Sequence, residues 1–241
     1  MTQIRQDASP QIFRELVRGK YFWLLLSLLL MVLFAPVLVG FAYGVYVVDF
    51  INVLVLVTAV YAISHSHHHV IFALVLVVPA AALKVLVALI QAPHAALVVP
   101  LHVLLVAFLV YLMVIILADV LSHRRVTADT IKGAVCVYLL MGLAWAMAFS
   151  LAAYLDPHAF RIHPTIGVSA AEMTFHSGGF GYMVYFSLVT LTTLGYGDIT
   201  PLIPIIRSLA AMEAVVGQVF LTVLVARLVG MHLYTISETG D

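Results

Sequence analysis

Thr192, Thr193, Leu194, Gly195, Tyr196, Gly197 and Asp198 form a run whose chemistry lies in its backbone. Glycine enters positive-φ conformations as readily as negative ones, so a chain in which Gly195 and Gly197 alternate with bulkier residues can turn successive carbonyl oxygens to one side. Thr193 adds a hydroxyl at the end of that row. Residues 181–193, just before it, are apolar but would form only roughly 20 Å of helix at 1.5 Å per residue, short of a hydrocarbon core of about 30 Å. Such a helix is tolerated at membrane depth only when buried in protein or lining water. The spacing therefore predicts a re-entrant helix whose partially negative C-terminal end faces the loop, which favours a monovalent cation.

Other ionisable groups sit inside apolar tracts, where each is a functional candidate. Glu213 is expected below the level of Gly195, facing the re-entrant helix within reach of Thr190 or Thr192, as a neutral hydrogen-bonded structural acid, the alternative being a gating proton site. Asp49 and Lys84 lie at matched depth and are expected to pair as a structural clamp. The run Ser64-His65-Ser66-His67-His68-His69 reads as a solvated turn. Its clustered imidazoles, His65, His67, His68 and His69, could also hold Zn²⁺, Ni²⁺ or Cu²⁺. His158, His163 and His176 read as ordinary loop residues able to titrate near neutrality. No nucleotide loop, span-embedded Ser-His pair or His-Glu-x-x-His motif is present, so no enzyme activity is expected.

These residues must be positioned by membrane helices. Of 241 residues 64% are hydrophobic and 9% charged, against about 25% charged in a soluble domain. The net charge of zero gives no pull toward nucleic acid, and the one cysteine, Cys136, cannot close an intrachain disulfide. Residues 21–63 would make a single helix of roughly 65 Å, so that tract folds back, and 40–44 offers the glycines for it. It is too long for a cleaved signal peptide. Further apolar runs at 70–90, 95–118, 133–155 and 203–232 give six spans in an all-α membrane protein. Arg5, Arg14, Arg18, Lys20, Arg124, Arg125, Lys132 and Arg227 then share one side against Arg161 and Arg207, which predicts cytoplasmic termini. The expected organisation is a cytoplasmic tail at 1–20, a four-helix bundle at 21–121, a linker at 122–132, a pore domain at 133–232 and a tail at 233–241. The pore domain divides into an outer helix, an external segment at 156–180, a pore helix at 181–193, a filter at 193–197 and an inner helix at 203–232. The short tail leaves no room for a cytoplasmic ligand domain.

The run from Thr192 to Asp198 resembles the selectivity-filter signature of tetrameric potassium channels, Thr-Val-Gly-Tyr-Gly, with Leu194 in place of valine. The resemblance continues from residue 133 to 232. Tyr185 and Phe186 stand where the family has an aromatic pair cuffing the filter, Pro201 and Arg207 match residues after it, and Gly217 matches the hinge glycine. The stretches 127–143, 214–218 and 225–230 are similar to bacterial inner-membrane channels with a two-helix ion-channel domain. The resemblance implies a homotetramer in membrane lipid that passes K⁺ passively, with K⁺ in a filter of Thr193, Leu194, Gly195, Tyr196 and Gly197 and no other cofactor. It implies filter support from Tyr185, Phe186, Thr192, Asp198 and Glu213. With Gly217 as hinge, helical spacing puts Gln218, Leu221, Val225 and Val229 near the axis. Some bacterial members carry a glutamate at the position of Val189, paired to the filter aspartate. Here Asp198 needs another partner, and the Tyr185 hydroxyl is the candidate. The bundle resembles a voltage sensor in span number only, because 95–118 has no Lys or Arg and only His102 as a candidate charge. A secondary transporter using the histidines would need an inverted repeat with broken helices in both halves, and a non-conducting sensor subunit would retain the motif without flux.

Overall fold

The computed structural model describes residues 19–38, 41, 43–64, 66–90, 94–123, 127–167, 169–174 and 179–239. Gly40, His65, Arg124, Arg125, His176 and the arginines before residue 19 lie outside the described residues. The helices are α1 (Phe22–Leu38), α2 (Gly44–Ala62), α3 (His67–Leu89), α4 (Ala95–Ser122), α5 (Ala128–Leu155), α6 (Phe180–Leu191) and α7 (Pro204–Thr239). Among the described residues four helical stretches are long and apolar enough to cross a membrane, namely His67–Leu89, Ala95–Ser122, Ala128–Leu155 and Pro204–Arg227. The chain is thus a multi-pass membrane protein. Phe22–Leu38 and Tyr46–Ala62 are apolar but shorter.

Several boundaries differ from the sequence expectation. The linker is shorter, because α4 runs to Ser122 and α5 starts at Ala128, capped by Thr127 Oγ1 accepting from Thr130 N at 3.1 Å. Asp129 in the first turn of α5 complements the positive end of the helix dipole. The inner helix continues past 232 to Thr239, so most of the expected tail is helical. His67, His68 and His69 form the first turn of α3 rather than a turn between helices. The His69 ring meets the Tyr111 hydroxyl of α4 at 2.8 Å, which ties that first turn to its neighbour.

Helix α1 is the prop of the molecule. Its start is tied to α4 by Tyr21 Oη donating to Asp119 (2.6 Å) and by Lys20 pairing with the same carboxylate (2.7 Å). Ser27 meets Thr58 of α2 at 2.8 Å. Its far end presses on the start of α6, where a Cβ on Gly181 would come within 2.4 Å of the Ala35 carbonyl oxygen and 2.8 Å of Pro36 N. The chain after Pro36 cannot retreat without leaving the helix, so glycine is the residue that fits. Helices α4 and α5 pack along their lengths. His102, fully buried, bonds the Val98 carbonyl (2.8 Å) and Ser150 of α5 (3.3 Å), which makes it a packing residue of the helix pair. Lys84 Nζ of α3 lies 2.5 Å from Asp49 Oδ1 of α2.

The expected external loop has structure of its own. Strand β1 (Phe160–Ile162) pairs antiparallel with β2 (Ile199–Pro201) in the register Phe160 to Pro201, Arg161 to Thr200 and Ile162 to Ile199. Two 3₁₀ turns follow β1, at Pro164–Ile166 and Ala170–Met173. The second is closed by Ser169, whose amide and hydroxyl both donate to Glu172 (2.6 and 3.0 Å) and hold that carboxyl below the usual carboxylate range.

Substituting Gly181→Ala should force α1 and α6 apart at Ala35. Overpacking of this kind costs about 1–3 kcal/mol, and a thermal melt of the purified protein in lipid should fall accordingly. An unchanged melt would mean that α1 does not brace the pore helix.

Candidate functional site

Helix α6 is short, deeply buried and closed at its C-terminus by the chain that follows it. Thr192 N and Oγ1 both donate to the Leu188 carbonyl (3.0 and 2.7 Å), and Thr193 N donates to Thr190 O (2.9 Å). The Val189 carbonyl accepts from both Leu194 N (2.9 Å) and Gly195 N (3.3 Å). Four consecutive amides are thereby spent on the helix end, satisfying carbonyls that a helix terminus otherwise leaves free. No carbonyl from Thr193 to Gly197 is used in that closure.

Beyond the helix end the backbone alternates. Thr193 (φ 60°), Gly195 (φ 59°) and Gly197 (φ 79°) are left-handed, and Leu194 and Tyr196 between them are not. Thr193 is the one non-glycine with positive φ among the described residues. Such conformations are costly outside glycine and collect at functional sites. The sequence signals the two glycines; it does not signal the threonine. The whole strip is exposed, with Leu194 at 55% and Tyr196 at 65%. Nothing stands within 4 Å of where a Cβ would sit on Gly195 or Gly197.

The strip is held from behind and from above. Tyr185 Oη donates to Asp198 Oδ2 at 2.6 Å, and the Tyr185 ring lies parallel to Tyr196, 6.5 Å between centroids and 9° between planes. Asp198 Oδ1 accepts from Ile199 N (3.0 Å), and its carbonyl accepts from His163 N (2.8 Å) at the end of the β1–β2 ladder. Phe186, beside Tyr185, makes its ring contacts elsewhere within the chain. Neighbours on a helix point about 100° apart, and Phe186 instead packs edge-on against Phe149 (5.1 Å) and Phe160 (5.4 Å). It anchors α6 to α5 and β1.

Below the strip, α7 passes close under the end of α6. A Cβ on Gly217 would lie 2.5 Å from the Leu191 carbonyl oxygen. The helix is unbroken there, and this glycine lets α7 approach the end of α6 closely. Gln218 Nε2 reaches Thr193 Oγ1 at 3.4 Å. Leu221, Val225 and Val229 continue along α7 from it, partly or fully exposed. Val219 and Val223 lie on another face, lining a cleft of about 380 Å³ with Leu117, Leu121 and Met141. Arg227 bonds the carbonyl of Leu121 and reaches that of His123 (3.4 Å), closing the exposed end of α4.

Glu213 is placed differently from the expectation. Its partner is Ser187, one α6 turn earlier than Thr190, with Oε1 2.5 Å from Ser187 Oγ. Thr192 turns its hydroxyl back onto its own helix instead. Ser187 and Gly142, whose carbonyl accepts from Ser187 (2.6 Å), had no sequence signal. Of the histidine run, His67, His68 and His69 are among the described residues and His65 is not. Successive residues of α3 diverge around the helix, and among the described residues no three His, Cys, Asp or Glu side chains converge.

Residues 133–232 match the family model described as ion channel. No curated protein and no solved structure matches the chain. The match spans α5 beyond its first turn, the β1 segment, α6, the strip and most of α7. It supports an ion-channel family and ion transport for the elements that carry the site.

Replacing Tyr185 by Phe removes the donor to Asp198 while keeping the ring. A hydrogen bond to a charged group is worth about 1.5–3 kcal/mol. The variant should show a matching loss of stability in melts and faster amide exchange at residues 196–199. Exchange equal to wild type would mean that the β1–β2 ladder alone fixes Asp198.

Proposed function

We propose that four copies of this chain form a potassium-selective channel that conducts passively across a bacterial inner membrane. The observation that carries this reading is the alternation of positive φ at Thr193, Gly195 and Gly197 along an exposed backbone strip. Alternation turns successive carbonyls to the same side, and rings of such carbonyls replace the hydration shell of K⁺. One chain has one strip, so a ring requires symmetry-related copies, and closed cyclic assemblies are the common solution. The exposure of the strip and of Gln218, Val225 and Val229 fits an axis running past that face.

The six-span reading counts α1 and α2 as spans that locally thin the bilayer, at modest cost per ångström. Cytoplasmic termini follow from the excess of Lys and Arg on one side. Voltage sensing has no visible source. Moving one charge through the field is worth about 2.3 kcal/mol per 100 mV, and Ala95–Ser122 contains no Lys or Arg. Asp49 and Lys84, paired at 2.5 Å, carry opposite signs and move no net charge together.

Proteoliposomes containing the protein should take up Rb⁺ against an outward K⁺ gradient, and Ba²⁺ should block the uptake. A reversal potential that tracks Na⁺ as readily as K⁺ would refute the selectivity.

In planar bilayers the open probability should change only gently between about −100 and +100 mV, a range that includes natural membrane potentials. A sigmoid equivalent to several elementary charges would overturn the voltage-insensitive reading.

A further inference from the structure

Filter support by Asp198 and Tyr185 leaves one buried acid unexplained. Glu213 is completely buried, and its Oε2 has no hydrogen-bond partner among the described residues. Its Oε1 lies 2.5 Å from Ser187 Oγ, and the same hydroxyl oxygen lies 2.6 Å from the carbonyl oxygen of Gly142. A serine hydroxyl has one hydrogen to give, and a carbonyl has none. The Ser187 hydrogen therefore belongs to the Gly142 contact, and the hydrogen in the Glu213 contact must come from the carboxyl.

We propose that Glu213 is a protonated positioning residue. Its carboxyl donates to Ser187, Ser187 donates to Gly142, and this relay ties α7 to α5 through α6 and holds the base of the filter in its conducting form. The dependence of conduction on the relay rests on the channel reading above; the protonation of Glu213 does not.

The surroundings favour the neutral form. A buried carboxylate needs a cation or several donors to offset its lost hydration. From α6 the facing group is Ser187; Tyr185 on the same helix is turned to Asp198. From α5 the titratable group is Tyr138, whose hydroxyl donates to the Leu191 carbonyl at 3.3 Å. On α7 itself the nearest cation in sequence, Arg207, bonds the Pro201 carbonyl at 3.1 Å. Helix α1, which packs on α6, presents Ala35 and Pro36 there. No cation answers an ionised Glu213 among these groups.

Loss of the proton breaks the relay at a defined place. The Ser187 hydrogen would be drawn to the carboxylate, breaking its bond to the Gly142 carbonyl. Ser187 is two residues before Val189, whose carbonyl takes the amides of Leu194 and Gly195. A shift of α6 at Ser187 thus reaches the first turn of the filter strip along one short helix. The tie is whole while the proton is held and fails as pH rises, so the loss lies on the alkaline side.

The test uses the full chain in lipid. Infrared spectra should show the carbonyl stretch of a protonated carboxylic acid at neutral pH, absent in Glu213→Gln. In wild type that band should disappear reversibly as pH rises, together with most of the Rb⁺ flux. Glu213→Gln keeps a permanent donor to Ser187, so its flux should lose the alkaline fall. Ser187→Ala should lose flux across the pH range; if it misfolds, the infrared band and the Glu213→Gln profile still decide. Absence of the band at neutral pH, or the same alkaline fall in Glu213→Gln, overturns the proposal. Absence of Rb⁺ flux from wild type at every pH overturns the channel reading and the conduction half of this one, while the band then decides the protonation half alone.

Discussion

The backbone from Thr193 to Gly197 closes the end of α6 with amides and with none of its carbonyls, so its shape is held by other groups. That constraint organises the elements around it. The strip from Thr193 to Gly197 has no partner strand, so its conformation is imposed from behind by groups belonging to other elements. The Val189 carbonyl fixes its first amides, Tyr185 fixes Asp198 at its far end, and the β1–β2 pairing fixes the chain just beyond. Each support acts on an end of the strip and leaves the middle carbonyls uncommitted. Positive φ at a threonine is costly on its own, and it persists here because both ends are fixed.

The supports converge on α6, which is too short to hold its position by itself. Isolated helices of this length are marginal; this one is stabilised by what surrounds it. Helix α1 meets its N-terminal end at Gly181 and α7 meets its C-terminal end at Gly217, both with backbone-to-backbone approach that only small residues allow. Phe186 adds an aromatic contact to Phe149 and Phe160. The N-terminal helices are therefore part of the scaffold around α6, connected to it by packing as well as by chain.

What could be read from sequence follows the range of each interaction. The strip is local: its alternating glycines are consecutive in the chain, so the left-handed backbone at Gly195 and Gly197 was legible. The pairing of Asp49 with Lys84 was legible because depth in a bilayer is a coordinate that sequence supplies directly. The partner of Glu213 was not. Threonines at 190 and 192 looked equivalent to any hydroxyl on that helix, and the rotation of α6 that selects Ser187 is set by tertiary packing. Tyr185 and Phe186 read as a pair through the resemblance, and within the chain Tyr185 meets Asp198 while Phe186 meets Phe149 and Phe160. The β1–β2 ladder, three residues on each side, is below the length at which alternation gives a signal. The start of α3 was hidden because Ser66 makes no side-chain cap there. The reach of α7 to Thr239 was hidden for another reason: polarity rises where the apolar run stops, but a helix does not have to end there.

The contact between Ala35 and Gly181 has a consequence for how the molecule is made. Its two halves are separated by most of the chain, so α1 enters the membrane long before its partner exists. At about 5–20 residues per second, a ribosome needs on the order of 7–30 s to reach Gly181 after finishing Ala35. During that interval the Ala35 surface of α1 is without Gly181, and the buried hydroxyl of Ser27 has Thr58 of α2 as its partner. Folding of this protein then includes a late docking event: the early helices are made first, and α6 is the piece that completes them.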